Sequence, residues 1–302
     1  MFQNPLLLLA TLFTSSSRTK QYENVTLQSS GIERWYLLTL PPNFDSSVAT
    51  PVILSFHGGG RNATQQYHLS QMSNSDFNDF AIAVYPNGKK KTWQGVPGAK
   101  TNDIQFTADI IIELSTKYTI DKSRIFATGK SDGGGFCNTL ACDPVLSTQI
   151  AAFAPVSGAF YVKNDTTCEP AKIEIPCNAS RTNIPMLEFH GGKDNTINYT
   201  GEGRREECLP SVPHWIREWA RRDGLSIKNE STPLEGTTDT TVYEWGSGKE
   251  KGLVKHVFDE SIKHDWPSIA DNSDNIRKGH KPASFNATSI IIDFFKQHAL
   301  KT

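Results

Sequence analysis

The sequence predicts an α/β fold in which a mostly parallel central sheet is covered by helices on both faces. Short apolar segments typical of buried strands alternate along the 302 residues with segments of helical periodicity. A Gly-Lys-Ser-Asp-Gly sequence at 129–133 lies between one such strand and one such helix. A histidine at 264 follows the last predicted strand. Loops at the carboxyl ends of such strands are where open α/β sheets place their functional residues.

The individual elements follow from local patterns. Eight segments read as strands, at 33–40, 52–56, 80–85, 123–128, 150–156, 186–189, 241–245 and 254–258. Helices are predicted at 107–118, 134–142, 213–222 and 287–299. The first places Ile110, Ile111 and Leu114 on one face, and the third has a proline near its start and a glycine past its end. No internal repeat or linker interrupts the chain, so one domain is expected over 18–302.

Ser131 is the candidate nucleophile. A Gly-x-Ser-x-Gly sequence between strand and helix is typical of the nucleophile elbow of the α/β-hydrolase fold, where a strained turn exposes the serine hydroxyl. The glycines on either side, Gly129 and Gly133, let the strand and helix backbones approach without a Cβ clash. The alternative is that Ser131 only caps the helix, since serine is favoured at that position. The additional glycines at 134 and 135 favour the nucleophile.

Asp194 and His264 are the candidate acid and base. A serine hydroxyl needs a base to take its proton and a third group to orient that base. In this fold the three residues follow the chain order serine, acid, histidine. Asp194 follows a predicted strand and His264 follows the last one, so the two complete that order.

Other side chains compete for these roles. Asp194 could instead cap a turn, and Asp165 and Asp223 are rival acids. Four further residues are expected to be non-catalytic, His256 and His190 as structural histidines, His280 as a solvated side chain and Asp265 as a surface carboxylate.

Backbone N–H groups are predicted to stabilise the oxyanion that develops during acyl transfer. One donor is the N–H of Asp132, the residue after the nucleophile. The second is expected from the turn at 57–60, a histidine followed by three glycines, with Gly59 and Gly60 as the candidates. A plain flexible turn is the alternative interpretation.

Two tryptophans are candidates for contact with a ligand. Trp93 and Trp266 offer flat faces to an aromatic or sugar group, and Trp266 lies two residues from the predicted base. Packing in the core or at the rim is the alternative for both. A metal site is not predicted, since the sequence has no Cys-x-x-Cys and no close His/Cys cluster with zinc spacing. The predicted chemistry needs no cofactor.

Charge argues against two classes of partner. The formal net charge of −1 gives no electrostatic reason to expect nucleic acid or an anionic membrane surface. The N-terminal apolar run is too short to span a bilayer as a helix, and the sequence has no other long apolar run. A soluble mature protein that meets neither nucleic acid nor membrane is therefore expected.

The N-terminus, the sequons and the cysteines indicate export. An apolar run at 5–13 followed by small residues predicts a signal peptide over 1–17, although no Lys or Arg precedes the run. Asn-x-Ser/Thr sequons begin at residues 24, 62, 164, 178, 198, 229 and 286. The five cysteines predict two disulfides and one unpaired thiol. The pairing stays open, although Cys168 and Cys177 could close a short loop.

Several motifs together resemble fungal feruloyl esterases of the C and D types, within a wider group that includes polyhydroxybutyrate depolymerases and acetylxylan esterases. The resemblance covers roughly residue 33 to the C-terminus. Its motifs lie at 57–60, 85–88, 93–95, 102–104, 128–135, 190–194 and 264–267. The relatives tend to carry a cysteine near the mature N-terminus, whereas none precedes Cys137 here.

The resemblance implies a secreted carboxylic ester hydrolase with Ser131, Asp194 and His264 as its triad. The implied substrate is ferulate or another hydroxycinnamate esterified to arabinoxylan or pectin. The alternatives are an acetylxylan esterase or polyhydroxyalkanoate depolymerase with the same triad, or a non-catalytic glycoprotein that binds cell-wall polymer. Fold alone does not choose among them.

Overall fold

The computed structural model describes residues 22–163 and 167–301. The predicted signal peptide at 1–17, the sequon at Asn164 and the rival acid Asp165 lie outside these residues. The strands are β1 (Glu23–Ser29), β2 (Ile32–Thr39), β3 (Thr50–Phe56), β4 (Ile82–Pro86), β5 (Ile120–Lys130), β6 (Ala152–Val156), β7 (Met186–Gly191), β8 (Glu202–Arg204), β9 (Glu207–Leu209), β10 (Glu230–Pro233), β11 (Thr240–Trp245) and β12 (Val254–Asp259). The helices are α1 (Ala63–Ser70), α2 (Asp103–Lys117), α3 (Asp132–Ala141), α4 (Val212–Arg222) and α5 (Ala287–Lys296).

A ten-stranded sheet runs through the described residues in the order β1-β2-β4-β3-β5-β6-β7-β12-β11-β10. The strands from β4 to β12 in this order pair in parallel, and the pairs at both edges are antiparallel. Parallel strands end at the same edge of a sheet, so the loops that follow β3, β5, β7 and β12 lie together. The mostly parallel sheet predicted from the sequence is confirmed.

Helices cover both faces of the sheet. On one face, Phe106 of α2, Leu140 of α3 and Trp215 of α4 pack in the same apolar cluster as alternate residues of the central strands. On the other face, Leu69 of α1 and Phe295 of α5 pack against the strand residues that alternate with those of the first cluster. Because successive side chains of a strand point to opposite faces, β3 supplies Val52 and Leu54 to the first cluster and Ile53 to the second.

The predicted strands and helices are all present, with shifted ends. Helix α2 begins four residues earlier than predicted, because the Oδ1 atom of Asn102 accepts a 3.0 Å hydrogen bond from the N–H of Gln105 and caps it. Elements that the sequence did not predict are β1, α1, the short hairpin β8–β9 and the edge strand β10.

Two disulfides are present among the described residues, as predicted, and their pairing is Cys142–Cys177 and Cys168–Cys208. The loop closure between Cys168 and Cys177 does not form, because each of these cysteines has a different partner. Cys137 is buried and unpaired. No helix in the part of the chain described here has the length and apolarity to cross a membrane.

Candidate active site

Ser131 lies at a sharp turn between β5 and α3. Its backbone has φ 56° and ψ −118°, a conformation that costs energy for any residue with a Cβ atom. A Cβ atom at Gly129 would lie 2.5 Å from the carbonyl oxygen of Gly133, and one at Gly133 would lie 2.3 Å from that of Phe56. Strand and helix can therefore meet only through glycines, and the turn has the geometry of a nucleophile elbow.

Asp194 and His264 are hydrogen-bonded to each other. The Nδ1 atom of His264 lies 2.7 Å from Oδ2 of Asp194, and both side chains are buried. The other carboxylate oxygen of Asp194 accepts hydrogen bonds of 2.8 Å from the N–H groups of Thr196 and Ile197. With Nδ1 as the donor to Asp194, the Nε2 atom of His264 is left as a proton acceptor.

The electrostatic surroundings keep Asp194 ionised and His264 neutral. Burial alone would raise the pKa of Asp194, but hydrogen bonds from His190 and His264 outweigh it and hold that pKa far below its usual range. For His264, burial and the nearby charge of Lys130 lower the pKa to about 4, against the opposing effect of Asp194. A neutral imidazole oriented by a carboxylate is the state in which histidine acts as a general base.

Ser131 and His264 line the same cavity, whose volume is about 380 Å³. The sequence-predicted residues on its wall are Ser131, Asp132, His264, Gly59 and Gly60. Residues 131 and 264 lie on loops after β5 and β12, with two strands between those elements in the sheet. The structure therefore brings residues far apart in sequence to one cavity.

The two predicted glycine donors differ in availability. The N–H of Gly60 donates a 2.9 Å hydrogen bond to the carbonyl of Lys91, so it is not free to bind an oxyanion, and this expectation is corrected. The N–H of Gly59 has no such partner within the described residues. Asp132 is the first residue of α3, where helix geometry leaves the N–H unpaired. Gly59 and Asp132 are thus the candidate donors.

A neutral histidine holds the turn at 57–60 in place. The Nε2 atom of His57 accepts a 2.9 Å hydrogen bond from the N–H of Gly88, so its Nδ1 atom carries the proton and donates at 2.8 Å to the carbonyl of Gly58. Burial lowers the pKa of His57 to about 4, which keeps this arrangement neutral over most of the pH range. The turn is therefore preorganised.

Trp93 and Trp266 do not reach the cavity. Trp93 is fully buried, stacks on Phe136 and donates from Nε1 to the carbonyl of His57 at 2.7 Å. Trp266 is also buried, and its Nε1 donates to Thr288 at 3.0 Å. The expected ligand contact is thus wrong for both tryptophans. Their rings are buried beneath loops next to the cavity and hold those loops in place.

A buried ion pair anchors the loop that carries Trp93. Arg34 of β2 lies 2.7 Å from Oδ1 of Asp103, and the other oxygen of that carboxylate accepts a 2.7 Å hydrogen bond from the N–H of Gln94. The side-chain oxygen of Gln94 in turn accepts a 3.0 Å hydrogen bond from the N–H of Asp103. This network fixes the Trp93 loop to the start of α2.

Behind Asp194 lies a chain of buried polar groups. The Nε2 atom of His190 lies 3.3 Å from the Asp194 carboxylate, and its Nδ1 atom lies 2.9 Å from Glu188. The other oxygen of Glu188 lies 2.7 Å from His256, which also contacts the hydroxyl of Tyr199 at 3.1 Å. Burial would lower the pKa of His190, but Glu188 and Asp194 raise it to about 10, so His190 is cationic.

Lys130 is a residue that sequence reasoning missed. It precedes Ser131, is buried, donates from Nζ to the carbonyl of His264 at 3.1 Å, and lies 3.4 Å from Asp274. Asp274 in turn accepts a bond from the N–H of Trp266. A lysine at the buried end of a strand was the available signal, because such a charge is retained only when it is paired.

Three further expectations have clear outcomes. His280 is not solvated, since its Nδ1 atom lies 2.6 Å from Asp265 and its side chain is only 12% exposed. Asp265 is not a surface carboxylate, because it is buried between His280 and Arg277. Asp223, a rival acid at the end of α4, accepts hydrogen bonds from the N–H of Ile184. It does not line the cavity.

Comparison with known proteins finds that the chain is similar to fungal esterases. No family model matches it. It is 29% identical over 216 residues to feruloyl esterase B of Piromyces equi, which covers 66% of this chain and 38% of that protein. It is 28% identical over 271 residues to feruloyl esterase D of Neurospora crassa, covering 84% and 81% respectively. The chain is thus similar to several fungal proteins named feruloyl esterase.

The chain is also similar to a bifunctional acetylxylan esterase/xylanase of Neocallimastix patriciarum, at 26% identity over 232 residues. That alignment covers 74% of this chain but 30% of the Neocallimastix protein. The chain therefore corresponds to about a third of the length of the Piromyces and Neocallimastix proteins.

Similarity to solved structures shows the fold of the chain. An acetyl xylan esterase from Aspergillus awamori superposes with a TM-score of 0.63 at 18% identity, covering 81% of this chain and 94% of that one. A thermostable esterase gives a TM-score of 0.58 at 15% identity, covering 92% and 63%. The chain has the α/β-hydrolase fold that its sequence predicted.

Proposed function

We propose that the chain is a secreted serine carboxylesterase that releases ferulate and related hydroxycinnamates from feruloylated arabinoxylan or pectin. The observation that carries the proposal is the 2.7 Å hydrogen bond between Asp194 and His264 beside a cavity that also exposes the elbow residue Ser131. Similarity to proteins named feruloyl esterase supports the acyl group.

The proposed reaction proceeds through an acyl-enzyme. The Oγ atom of Ser131 attacks the ester carbonyl carbon while Nε2 of His264 takes the hydroxyl proton. The N–H groups of Gly59 and Asp132 stabilise the oxyanion. The imidazolium of His264 then protonates the leaving alcohol, and Asp194 keeps the ring oriented and offsets its charge. His264 then takes a proton from water, which attacks the acyl carbon. The bond from that carbon to Oγ of Ser131 breaks, His264 returns the proton to Oγ, and the carboxylic acid leaves.

Export to an oxidising compartment fits the covalent structure. Two disulfides join distant parts of the chain, and such bonds persist in secreted proteins. The sequon asparagines Asn24, Asn178, Asn198 and Asn229 are exposed. Asn62 is different, because its side chain caps α1 through a 2.9 Å bond to the N–H of Gln65.

Replacement of the nucleophile tests the proposal. We expect Ser131→Ala to lower kcat for methyl ferulate by at least about 10⁴-fold, because only oxyanion stabilisation and binding remain. Release of ferulate would be measured by liquid chromatography, with circular dichroism showing that the variant is folded. Covalent labelling by an organophosphate should occur in the native protein and be lost in Ser131→Ala. Substantial turnover by the variant, or an unlabelled native protein, contradicts the assignment.

An acetylxylan esterase is the second candidate. The acetyl xylan esterase of Aspergillus awamori matches over 94% of its length, and the Neocallimastix relative carries an acetylxylan esterase name. The same triad would serve both reactions, so relative kcat/KM values on feruloylated and acetylated xylan oligosaccharides separate the candidates.

A further inference from the structure

Cationic side chains dominate the wall of the cavity that holds Ser131 and His264. Two carboxylates, of Asp132 and Asp274, face a larger set of basic side chains on the same wall. The basic residues are Arg61, Lys91, Lys130, Arg204, Arg205 and Arg277. The whole chain has a formal net charge of −1, so this positive character is local to the site.

Part of this charge is already used by the protein. Lys130 and Arg277 both pair with Asp274, and both donate to the carbonyl of His264. Arg61 and Lys91, in contrast, are exposed and form no ion pair with the described residues. The cavity therefore retains positive charge for which the described protein supplies no partner.

The hairpin β8–β9 carries two of the arginines. Arg204 ends β8 and Arg205 begins the turn, where Arg205 and Glu206 have φ values of 52° and 61°. Turns with two positive φ values usually contain Asn or Gly, so larger side chains here cost backbone energy. The Cys168–Cys208 disulfide fixes β9 to the neighbouring loop. The fold thus holds both arginines at the cavity wall despite that cost.

Arg205 lies close to the elbow. Its guanidinium is 5.9 Å from the ring centre of Tyr161, and its Nη1 atom is 4.0 Å from Oδ2 of Asp132, the residue after Ser131. An ion pair of this length with a side chain that is 50% exposed is weak. The neighbouring Arg204 contacts Glu202 through Nη1 at 3.4 Å, whereas its buried Nε atom has no hydrogen-bond partner within the described residues. Donors therefore remain for a bound group.

We propose that Arg205, with Arg204 and Arg61 on the same wall, binds a carboxylate of the substrate close to the scissile ester. The preferred substrates are then esters of acidic carbohydrate, in which a uronic acid carboxylate lies near the esterified hydroxyl. A guanidinium recognises a planar carboxylate through two parallel hydrogen bonds, whereas a neutral ester leaves those donors unpaired. This inference rests on the esterase function proposed above and adds a charge requirement to it.

Matched pairs of small esters test the proposal and locate the carboxylate. On the acyl side, the 4-nitrophenyl monoester of glutaric acid is compared with 4-nitrophenyl valerate. On the alcohol side, 4-acetoxybenzoate is compared with 4-acetoxybenzamide. We expect kcat/KM for the anionic member to exceed that of the neutral member by about tenfold in the alcohol-side pair, the size of a charge-assisted hydrogen bond. The preference should shrink at 0.5 M added salt, because the Debye length falls from about 10 Å at 0.1 M towards about 3 Å at 1 M and the attraction between exposed charges is screened.

Variants assign the preference to Arg205. Arg205→Gln should lower the anionic-to-neutral ratio of kcat/KM about tenfold, and Arg205→Lys should keep part of it. The matched control is Arg217→Gln, which changes an exposed arginine of α4 that does not line the cavity. Its ratio should equal that of the native protein.

The outcomes separate this inference from the function on which it rests. Equal kcat/KM values within both pairs, or a ratio that Arg205→Gln leaves unchanged, overturn the carboxylate site while the esterase function stands. A preference in the acyl-side pair alone overturns the assignment to acidic carbohydrate. Failure of the native protein to hydrolyse any of the four esters overturns the esterase function and this inference together.

Discussion

At residue 133 the fold leaves no room for even one additional carbon atom. A Cβ atom there would lie 2.3 Å from the carbonyl oxygen of Phe56 and 2.6 Å from that of His57. Both atoms belong to backbone, which cannot move aside as a flexible side chain can. The glycine therefore couples the elbow to the end of β3, from which the turn at 57–60, proposed above as the oxyanion turn, continues.

Gly133→Ala should therefore damage stability and activity together. We expect the free energy of unfolding to fall by about 1–3 kcal/mol, the usual cost of overpacking, and ester hydrolysis to fall because the elbow and the oxyanion turn are pushed apart. Urea unfolding and methyl ferulate turnover would measure the two effects. Gly203→Ala is the control, since the nearest atom to a Cβ there is 3.8 Å away. Equal stability of the two variants would contradict this account.

Single residues were predictable where the chemistry is local. The elbow serine and its glycines form one short motif, and chain order was enough to nominate Asp194 and His264. Gly60 was wrongly predicted as an oxyanion donor beside Gly59, because its N–H is bonded to Lys91, which lies in a loop more than twenty residues away. The prediction that Trp93 and Trp266 contact a ligand was wrong, because residue type alone does not determine which way a ring faces.

Among the elements, β5 and the loop after β12 are joined by one buried cation. Lys130 ends β5, and its Nζ atom reaches the carbonyl of His264 and the carboxylate of Asp274. The carbonyl of His264 also accepts from Arg277. This arrangement fixes the histidine loop relative to the elbow and places positive charge near the imidazole.

The charge of Lys130 should be visible in the pH profile. Histidine acts as a base only when neutral, so kcat/KM falls as the pH drops through its pKa, which burial and Lys130 lower to about 4. Lys130→Met removes the second cause, so the acid limb of kcat/KM should move to higher pH. Lys130→Arg keeps the charge and is the control. The same midpoint in Lys130→Met and the native protein would show that Lys130 has no electrostatic role.

Elements were predicted where periodicity is strong and missed where it is weak. The buried strands β4 and β6 are apolar throughout, whereas every residue of β10 is exposed and the strand includes Pro233. The hairpin strands β8 and β9 have three residues each, too short for a periodic signal. Strand β1 had a usable signal, since Val25 and Leu27 alternate with polar residues. Glu188 was another missed signal, because a carboxylate inside an apolar strand implies buried partners.

For the whole molecule, the disulfides stabilise the face that α3 and α4 cover. Cys142 is the C-cap residue that follows α3, and its partner Cys177 lies in the loop before β7. The two cysteines are separated by 35 residues. The sequence predicted the number of bonds but not the pairing, since four cysteines allow three pairings and only the packed fold brings two together.

Removal of that bond should lower global stability. The loop-closure model gives about 4 kcal/mol for a loop of this length, so Cys142→Ser/Cys177→Ser should unfold at a clearly lower urea concentration. The comparison variant is Cys137→Ala, which removes the buried unpaired thiol and should cost far less. If both variants unfold at the same urea concentration, the bond contributes little to the native state.

The ion pair at Arg34 links the candidate active site to β2, which is separated from the elbow strand β5 by β4 and β3 in the sheet. From Arg34 the contacts pass through Asp103 and Gln94 to the loop of Trp93, whose indole holds the carbonyl of His57. A mutagenesis library confined to the pocket surface would never sample these positions. Engineers who tune turnover should therefore include the interior scaffold, because the rigidity of the oxyanion turn is determined there.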